Sequence, residues 1–97
     1  MSDYDGRENP ATPAIGGKYI NASADQLVKT GEGHLVGIFV ASGTPTIKVW
    51  DNTSAATTVL VNTFQAAAAT WYPLPFRFKV GCYVDITGTC DYTVSFH

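Results

Sequence analysis

Cys82-Tyr83-Val84-Asp85-Ile86-Thr87-Gly88-Thr89-Cys90-Asp91-Tyr92-Thr93-Val94-Ser95-Phe96 is the stretch that decides the fold class. Apolar side chains fall on alternate residues to either side of Gly88: Cys82, Val84 and Ile86 before it, Cys90, Tyr92, Val94 and Phe96 after it. A period of two places such residues on one face of a strand, and a glycine between the two runs is a turn signal. The stretch is therefore expected to form a β-hairpin turning at Thr87-Gly88-Thr89, with Ile86 facing Cys90, Val84 facing Tyr92 and Cys82 facing Val94. In that register the cysteines lie about 13 Å apart along the ladder, beyond disulfide reach, so two buried, reduced thiols are expected.

Upstream the same period recurs. Phe76-Arg77-Phe78-Lys79-Val80 alternates, which predicts Phe76, Phe78 and Val80 inward and Arg77 and Lys79 outward. Thr70-Trp71-Tyr72-Pro73-Leu74-Pro75 is aromatic and broken by proline, so it belongs on a sheet edge or in an extended connection. In Thr46-Ile47-Lys48-Val49-Trp50-Asp51, Ile47 and Val49 are expected in the core and Lys48 and Trp50 on a partly wet face. Residues 52 to 57 connect this strand to a return over 58 to 62, with Phe64 continuing the strand or anchoring the next loop. Ala66-Ala67-Ala68-Ala69 is too short for an isolated helix and predicts a loop or single turn. His34-Leu35-Val36-Gly37-Ile38-Phe39-Val40-Ala41 is apolar at neighbouring positions, as in a central strand covered on both sides. Before it, residues 19 to 24 and 26 to 30 are two more strands, and Gly31-Glu32-Gly33 is a turn. No segment has helical periodicity. The expected fold is all-β, an antiparallel sandwich or jelly-roll-like barrel of about seven or eight short strands.

Ninety-seven residues make one domain. Only 14% of them are charged, against about 25% in typical globular chains, so much of the surface is neutral, which lowers the desolvation cost of packing against a partner. The net charge of -2 resides in the first nine residues, where Asp3, Asp5 and Glu8 outweigh Arg7. No basic stripe follows a nucleic-acid backbone and no polybasic cluster suits a membrane surface. The acidic, polar N-terminus does not resemble a secretory signal, and no apolar run has the length of a membrane span, so the protein is expected to be made and kept in the cytosol. Residues 1 to 17, interrupted by Pro10 and Pro13 and closed by Gly16-Gly17, read as an extended arm, and residues 18 to 97 as the sandwich domain. Two placements of the arm stand level: along a neighbouring subunit or partner, or along its own domain.

Groups able to do chemistry are sparse, and no enzyme activity or cofactor is expected. Nucleophilic catalysis needs a base in reach of the nucleophile. His34 opens an apolar strand and His97 is the last residue, so neither is placed beside a serine or cysteine by the sequence. Cys82 and Cys90 on a core face are inert thiols, and with two distant histidines they are a poor metal set. Asp85 and Asp91 both point outward on the expected hairpin and read as solvated decoration rather than an acid–base pair. Asp51-Asn52 lacks the alternating oxygen ligands of a calcium loop, and Gly31-Glu32-Gly33 precedes a strand, where a phosphate loop would open a helix. Asn21-Ala22-Ser23 and Asn52-Thr53-Ser54 match the glycosylation pattern, by chance for a chain without a secretory signal. Trp50, Trp71 and Tyr72 are either packing and subunit-interface residues or a sugar-stacking platform, the first being the more common use of such side chains.

The run Gly33-His34-Leu35-Val36-Gly37-Ile38-Phe39-Val40-Ala41-Ser42-Gly43-Thr44-Pro45-Thr46-Ile47-Lys48-Val49-Trp50-Asp51-Asn52-Thr53-Ser54, followed by Val59-Leu60-Val61-Asn62-Thr63-Phe64, Tyr72-Pro73-Leu74-Pro75 and Gly81-Cys82-Tyr83-Val84-Asp85-Ile86-Thr87-Gly88-Thr89, resembles a pattern in small structural proteins of tailed bacteriophages. The resemblance covers about two-thirds of the chain and lies mainly in strands and turns; the arm departs from it. It implies a virion component on the capsid surface, assembled in the host cytoplasm: a head decoration or cement protein bound to the major capsid protein, as a homo-oligomer, without nucleic acid or membrane as partner. Tyr4, Ile15, Tyr19, Trp50, Trp71 and Tyr72 are the candidate partner-binding residues. The alternatives are a carbohydrate- or receptor-binding module on the virion exterior and a neck or tail subunit.

Overall fold

In the computed structural model, which describes residues 17 to 97, the alternating runs form strands and no described residue is helical. The strands are β1 (Lys18–Ala22), β2 (Gln26–Thr30), β3 (Gly33–Gly43), β4 (Thr46–Trp50), β5 (Val59–Gln65), β6 (Thr70–Pro73), β7 (Arg77–Phe78), β8 (Gly81–Thr87) and β9 (Cys90–Phe96). All pairings are antiparallel. One sheet has the order β1-β9-β3-β6 with β7 also paired to β3, and the other the order β2-β8-β4-β5. The two sheets pack together as a β-sandwich, with one more strand among the described residues than the expected maximum because β6, in a segment expected on a sheet edge or in an extended connection, is a paired strand. The arm expected over residues 1 to 17 lies, apart from Gly17, outside the described residues.

The core is the set of inward rows. Leu35, Ile38 and Val40 of β3, Tyr92, Val94 and Phe96 of β9 and Phe78 of β7 come from one sheet; Val28 of β2, Ile47 and Val49 of β4 and Cys82 and Val84 of β8 come from the other. Burial of side chains of this size stabilises by roughly 1.5–3 kcal/mol each before chain entropy is counted. Both cysteines are buried and free. Tyr92 brings one polar atom into this core, and its hydroxyl donates to the Ala24 carbonyl at 2.6 Å, as a buried hydroxyl must. Asp25, in the same β1–β2 connection, accepts from the Ile86 N–H at 2.7 Å.

Three expectations are corrected. First, Cys82 to Ile86 and Cys90 to Phe96 do not form a hairpin: β8 pairs with β2 and β4, and β9 with β1 and β3, in opposite sheets. The short connection at Gly88, which has φ +107, is an arch from one sheet to the other. Alternation reports which face of a strand is buried and not which strand lies beside it. The inward residues are therefore as expected while their partners are not. Second, β3 is central but covered on one side only, since Phe39 is 39% exposed. Register shifts against β9 leave Val36 and Ala41 unopposed, and such a bulge resets the phase of a strand. Leu35 and Ile38, three residues apart, both point inward for that reason. Third, Phe76 and Val80 are 44% and 55% exposed, and only Phe78 of that run is buried. The chain turns at both ends of β7: the Phe76 N–H donates to the Leu74 carbonyl at 2.8 Å, and beyond Phe78 the backbone wraps a carboxylate.

That carboxylate is Asp51. Its oxygens accept from the N–H groups of Lys79 (3.0 and 3.1 Å), Val80 (2.8 Å) and Gly81 (3.4 Å). Partial burial works to raise its pKa, but the bonds from Val80, Lys79 and Gly81, with the Lys79 charge, outweigh it and hold the carboxyl below its usual range. The carboxylate form is thus stabilised by the fold, and that stabilisation is present above the ordinary aspartate pKa and fades as pH falls below about 4. Asp51→Ala leaves these N–H groups without their acceptor and is expected to lower stability by about 2 kcal/mol, read from urea unfolding at neutral pH. A loss under about 0.5 kcal/mol would show that water replaces the carboxylate.

The thiols give a second pH dependence, of opposite sign. Burial, assisted by the Asp51 charge, pushes the Cys82 thiol up to about 12, and burial with the Asp91 charge also raises Cys90. Unfolded, a cysteine ionises near pH 8.5. Below about that pH both states keep the proton and stability is complete; above it the unfolded chain ionises first. Stability is expected to fall by up to about 1.4 kcal/mol per pH unit for Cys82 above that point, until pH approaches its folded value of about 12. Urea unfolding from pH 8 to 11 should show a shallower decline in Cys82→Ala than in the parent; equal slopes would remove Cys82 as the cause.

Candidate functional site

Because the core consumes one face of each sheet, anything the sandwich binds must be met by an outer face, a loop cluster or an edge. On the outer face of the five-stranded sheet the registers place Tyr19, Ser95, Gly37 and Pro73 in one row across β1, β9, β3 and β6. Asn21, Thr93, Phe39 and Trp71 form the next. Tyr19 is 69% exposed, Trp71 46% and Phe39 39%. Phe39 and Trp71 are directly opposite one another. The indole leans over Gly37, where an added Cβ would lie 2.5 Å from Cη2 and 2.6 Å from Cζ2 of Trp71. Thr93 donates from Oγ1 to Asn21 Oδ1 within the second row. These rows carry no charged side chain. At their end lies an open depression of about 420 Å³ lined by Asn21, Ala22, Ser23, Ala41, Asp91, Tyr92 and Thr93.

The four-stranded sheet presents a different outer face. Leu27, Tyr83, Trp50 and Val59 form one row across β2, β8, β4 and β5, and Asp85 and Lys48 are opposite each other beside it. Trp50 is tied on two sides: its Nε1–H donates to Asp85 Oδ2 at 3.4 Å, and Lys48 Nζ sits 4.4 Å from the ring centroid, a cation–π distance. Burial, with the Asp25 and Asp85 charges, raises the Tyr83 pKa, so its hydroxyl is neutral throughout the physiological range.

Of the partner-binding candidates, Tyr4 and Ile15 lie outside the described residues. The other four are not brought together. Trp50 is on one outer face and Tyr19 and Trp71 on the other, so a single platform of Trp50, Trp71 and Tyr72 is corrected. Tyr72 is opposite Ile38 on the inward row; its ring packs at 5.2 Å on Phe64 of the other sheet, and its hydroxyl accepts from the Ala67 N–H at 2.7 Å. It closes the side of the sandwich rather than presenting a surface. Phe39, Leu27 and Val59 belong to the exposed rows and were not among the candidates. A period-two count through β3 gives no warning for Phe39, because the bulge at Val36 shifts the phase just before it.

The histidines, distant in sequence, are adjacent in the fold, where the His34 and His97 backbones exchange hydrogen bonds of 3.2 and 2.8 Å. Glu32 and Arg77 pair nearby, both well exposed, and the pair lowers the Glu32 pKa through its hydrogen bond and the charge of Arg77. An exposed pair of this kind contributes little to stability. Among the described residues no group of three or more His, Cys, Asp or Glu is gathered around a common point that could hold a metal ion. Asp85 and Asp91 lie in opposite sheets, which separates them further than the expected hairpin did. Among the described residues no helix is long and apolar enough to cross a membrane. No protein-family model, curated protein or solved structure matches the chain.

Proposed function

We propose that this chain is a non-catalytic structural protein of a tailed-phage virion: a capsid decoration protein that fastens onto the major capsid protein lattice, as a homo-oligomer on the particle surface. The observation that carries this reading is the Leu27–Tyr83–Trp50–Val59 row, which crosses all four strands of one sheet. Protein interfaces are anchored by a few aromatic residues within a rim that excludes water, and an anchor already held in place loses less freedom on docking. Trp50, tied by Asp85 and Lys48 and set between Tyr83 and exposed Val59, with exposed Leu27 at the far end of the row, has that form. The neutral balance of the described residues, with five basic side chains (Lys18, Lys29, Lys48, Arg77, Lys79) against five acidic ones (Asp25, Glu32, Asp51, Asp85, Asp91), suits protein partners better than nucleic acid or anionic lipid. The resemblance of the β3–β5 and β8 sequences to phage structural proteins supplies the particle context. Many weak contacts made by copies on one lattice add up through effective concentration, so no catalytic group is required.

The test is occupancy on particles assembled without this protein and then supplied with it at limiting concentration. Trp50→Ala is expected to lower occupancy at least tenfold, in the range of an interface hot spot, and Val59→Glu, on the exposed rim, to lower it without touching the core. Removing residues 2 to 16 tests the arm as a second anchor. Unchanged occupancy in all three variants would overturn the proposal, and labelling at a single vertex of intact particles would move the protein to the neck or tail.

A further inference from the structure

Two tryptophans sit on the two outer faces, and their rings are in different states. The Trp50 ring is taken by Lys48 and its Nε1–H by Asp85. The Trp71 ring is seated on the bare backbone of Gly37, close enough that a Cβ there would collide with it, while nearly half of the residue remains open to solvent. A flat aromatic ring braced from beneath and open above is a stacking surface. A second exposed aromatic ring is Tyr19, in the same row as Gly37 and two strands away, or about 9–10 Å at the usual strand spacing. Ser95 lies between them, and Asn21 and Thr93 with Phe39 line the next row. The depression at the end of these rows continues the strip with Ser23 and Asp91.

From this arrangement we infer that the outer face of the five-stranded sheet binds neutral oligosaccharides. A pyranose ring has an apolar C–H face that packs on an aromatic ring and a rim of hydroxyls that need hydrogen-bond partners. Tyr19 and Trp71 supply two stacking stations separated by about the advance of two linked hexoses, and Ser95, Thr93 and Asn21 supply hydroxyl and amide groups between and beside them. Few polar groups at fixed positions within an apolar site is the usual composition of a small-ligand site. Charge selects the class of sugar. With no arginine or lysine in either row, the face offers nothing to the carboxylate of an acidic sugar, and Asp91 at the depression disfavours one. The inference is independent of docking to a shell, which uses the opposite face, so either can fail alone.

The experiment is a titration of the full-length protein, labelled for NMR, with maltoheptaose, cellohexaose, laminarihexaose and chitohexaose up to millimolar concentration. At least one probe is expected to shift the Trp71 indole together with Phe39, Tyr19, Asn21 and Thr93, leaving Trp50 in place. Trp71→Ala should weaken that binding at least tenfold and Trp71→Tyr less, with Phe39→Ala as a second variant should Trp71→Ala perturb the fold. The inference is overturned if none of the four probes moves these resonances, or if Trp71→Ala and Phe39→Ala both bind as the parent does. It is equally overturned if the face proves already occupied, shown by concentration-dependent shifts without sugar for a second copy, or by release of the same resonances on deletion of residues 2 to 16.

Discussion

Phe78→Ala is expected to lower the unfolding free energy by about 3–5 kcal/mol, the range for truncating a fully buried phenylalanine. The ring is completely inaccessible although it belongs to a strand of two residues, β7, bonded to β3 through Gly33 and His34. The backbone around it has little sheet pairing of its own, and is held by the Asp51 carboxylate on one side and the Phe76–Leu35 hydrogen bond on the other. Removing the ring thus subtracts its transfer free energy, leaves a cavity, and releases the one side chain that anchors residues 76 to 80 to the core. A domain of this length has total stability of about 5–15 kcal/mol, so the variant should unfold at much lower urea while its m-value stays near the parent's. Phe78→Leu, which keeps most of the volume, should recover more than half of the loss. A loss under about 1 kcal/mol would mean that the segment opens without the rest of the sandwich.

Phe78 also shows what can be read from a sequence of this kind. Alternation identified the inward residues of β4, β8 and β9 correctly, because burial of one strand face is a local consequence of period two. It failed for Phe76 and Val80 in the same run as Phe78. Their direction is decided by a γ-like turn after Leu74 and by an aspartate nearly thirty positions earlier in the chain, neither of which leaves a mark in five residues of sequence. The pairing of strands was equally invisible. Residues 87 to 89 suit a hairpin and an arch alike, and the choice depends on which strands compete for the edges of β8 and β9. For those two strands the competitors are β2 and β4 on one side and β1 and β3 on the other.

The binding faces were legible only in their ingredients. Tyr19, Trp50 and Trp71 stand out in composition, but nothing local assigns Trp50 to one sheet and Tyr19 and Trp71 to the other. Gly37 is the sharper case. Inside an apolar run it reads as a small core residue, and its use as the seat of an indole follows from the register Phe39 opposite Trp71, a non-local fact. Tyr72, one residue from Trp71, points the opposite way because successive side chains of a strand alternate, so an aromatic pair that looks like one platform is divided between surface and core.

Gly43→Ala is expected to be as damaging as the loss of the Phe78 ring, at about 3–5 kcal/mol, although it adds a single methyl group. Two effects combine there. The residue has φ +88, a region that side chains rarely adopt and that costs about 1–3 kcal/mol to impose. In addition the new Cβ would stand 2.2 Å from the Thr89 carbonyl oxygen and 2.9 Å from the Cys90 Cα. Those atoms are backbone at the start of β9, opposite Gly43 in the ladder, and cannot rotate aside as a side-chain tip would. Relief requires β9 to separate from β3 at the end of the arch, next to buried Cys90. Gly31 isolates the first effect: its φ is +92, and a Cβ there meets nothing within 4 Å, so Gly31→Ala should lose only the conformational part, about 1–2 kcal/mol. Thermal and urea unfolding of the two variants side by side gives the contact effect by difference. The Cys90 thiol supplies a second measurement, since opening of the β3–β9 end should make it react with a thiol reagent faster in Gly43→Ala than in Gly31→Ala under native conditions. Equal stabilities and equal thiol rates in the two variants would mean that β9 does not approach Gly43 this closely in solution, and the arch between the sheets would have to be redrawn.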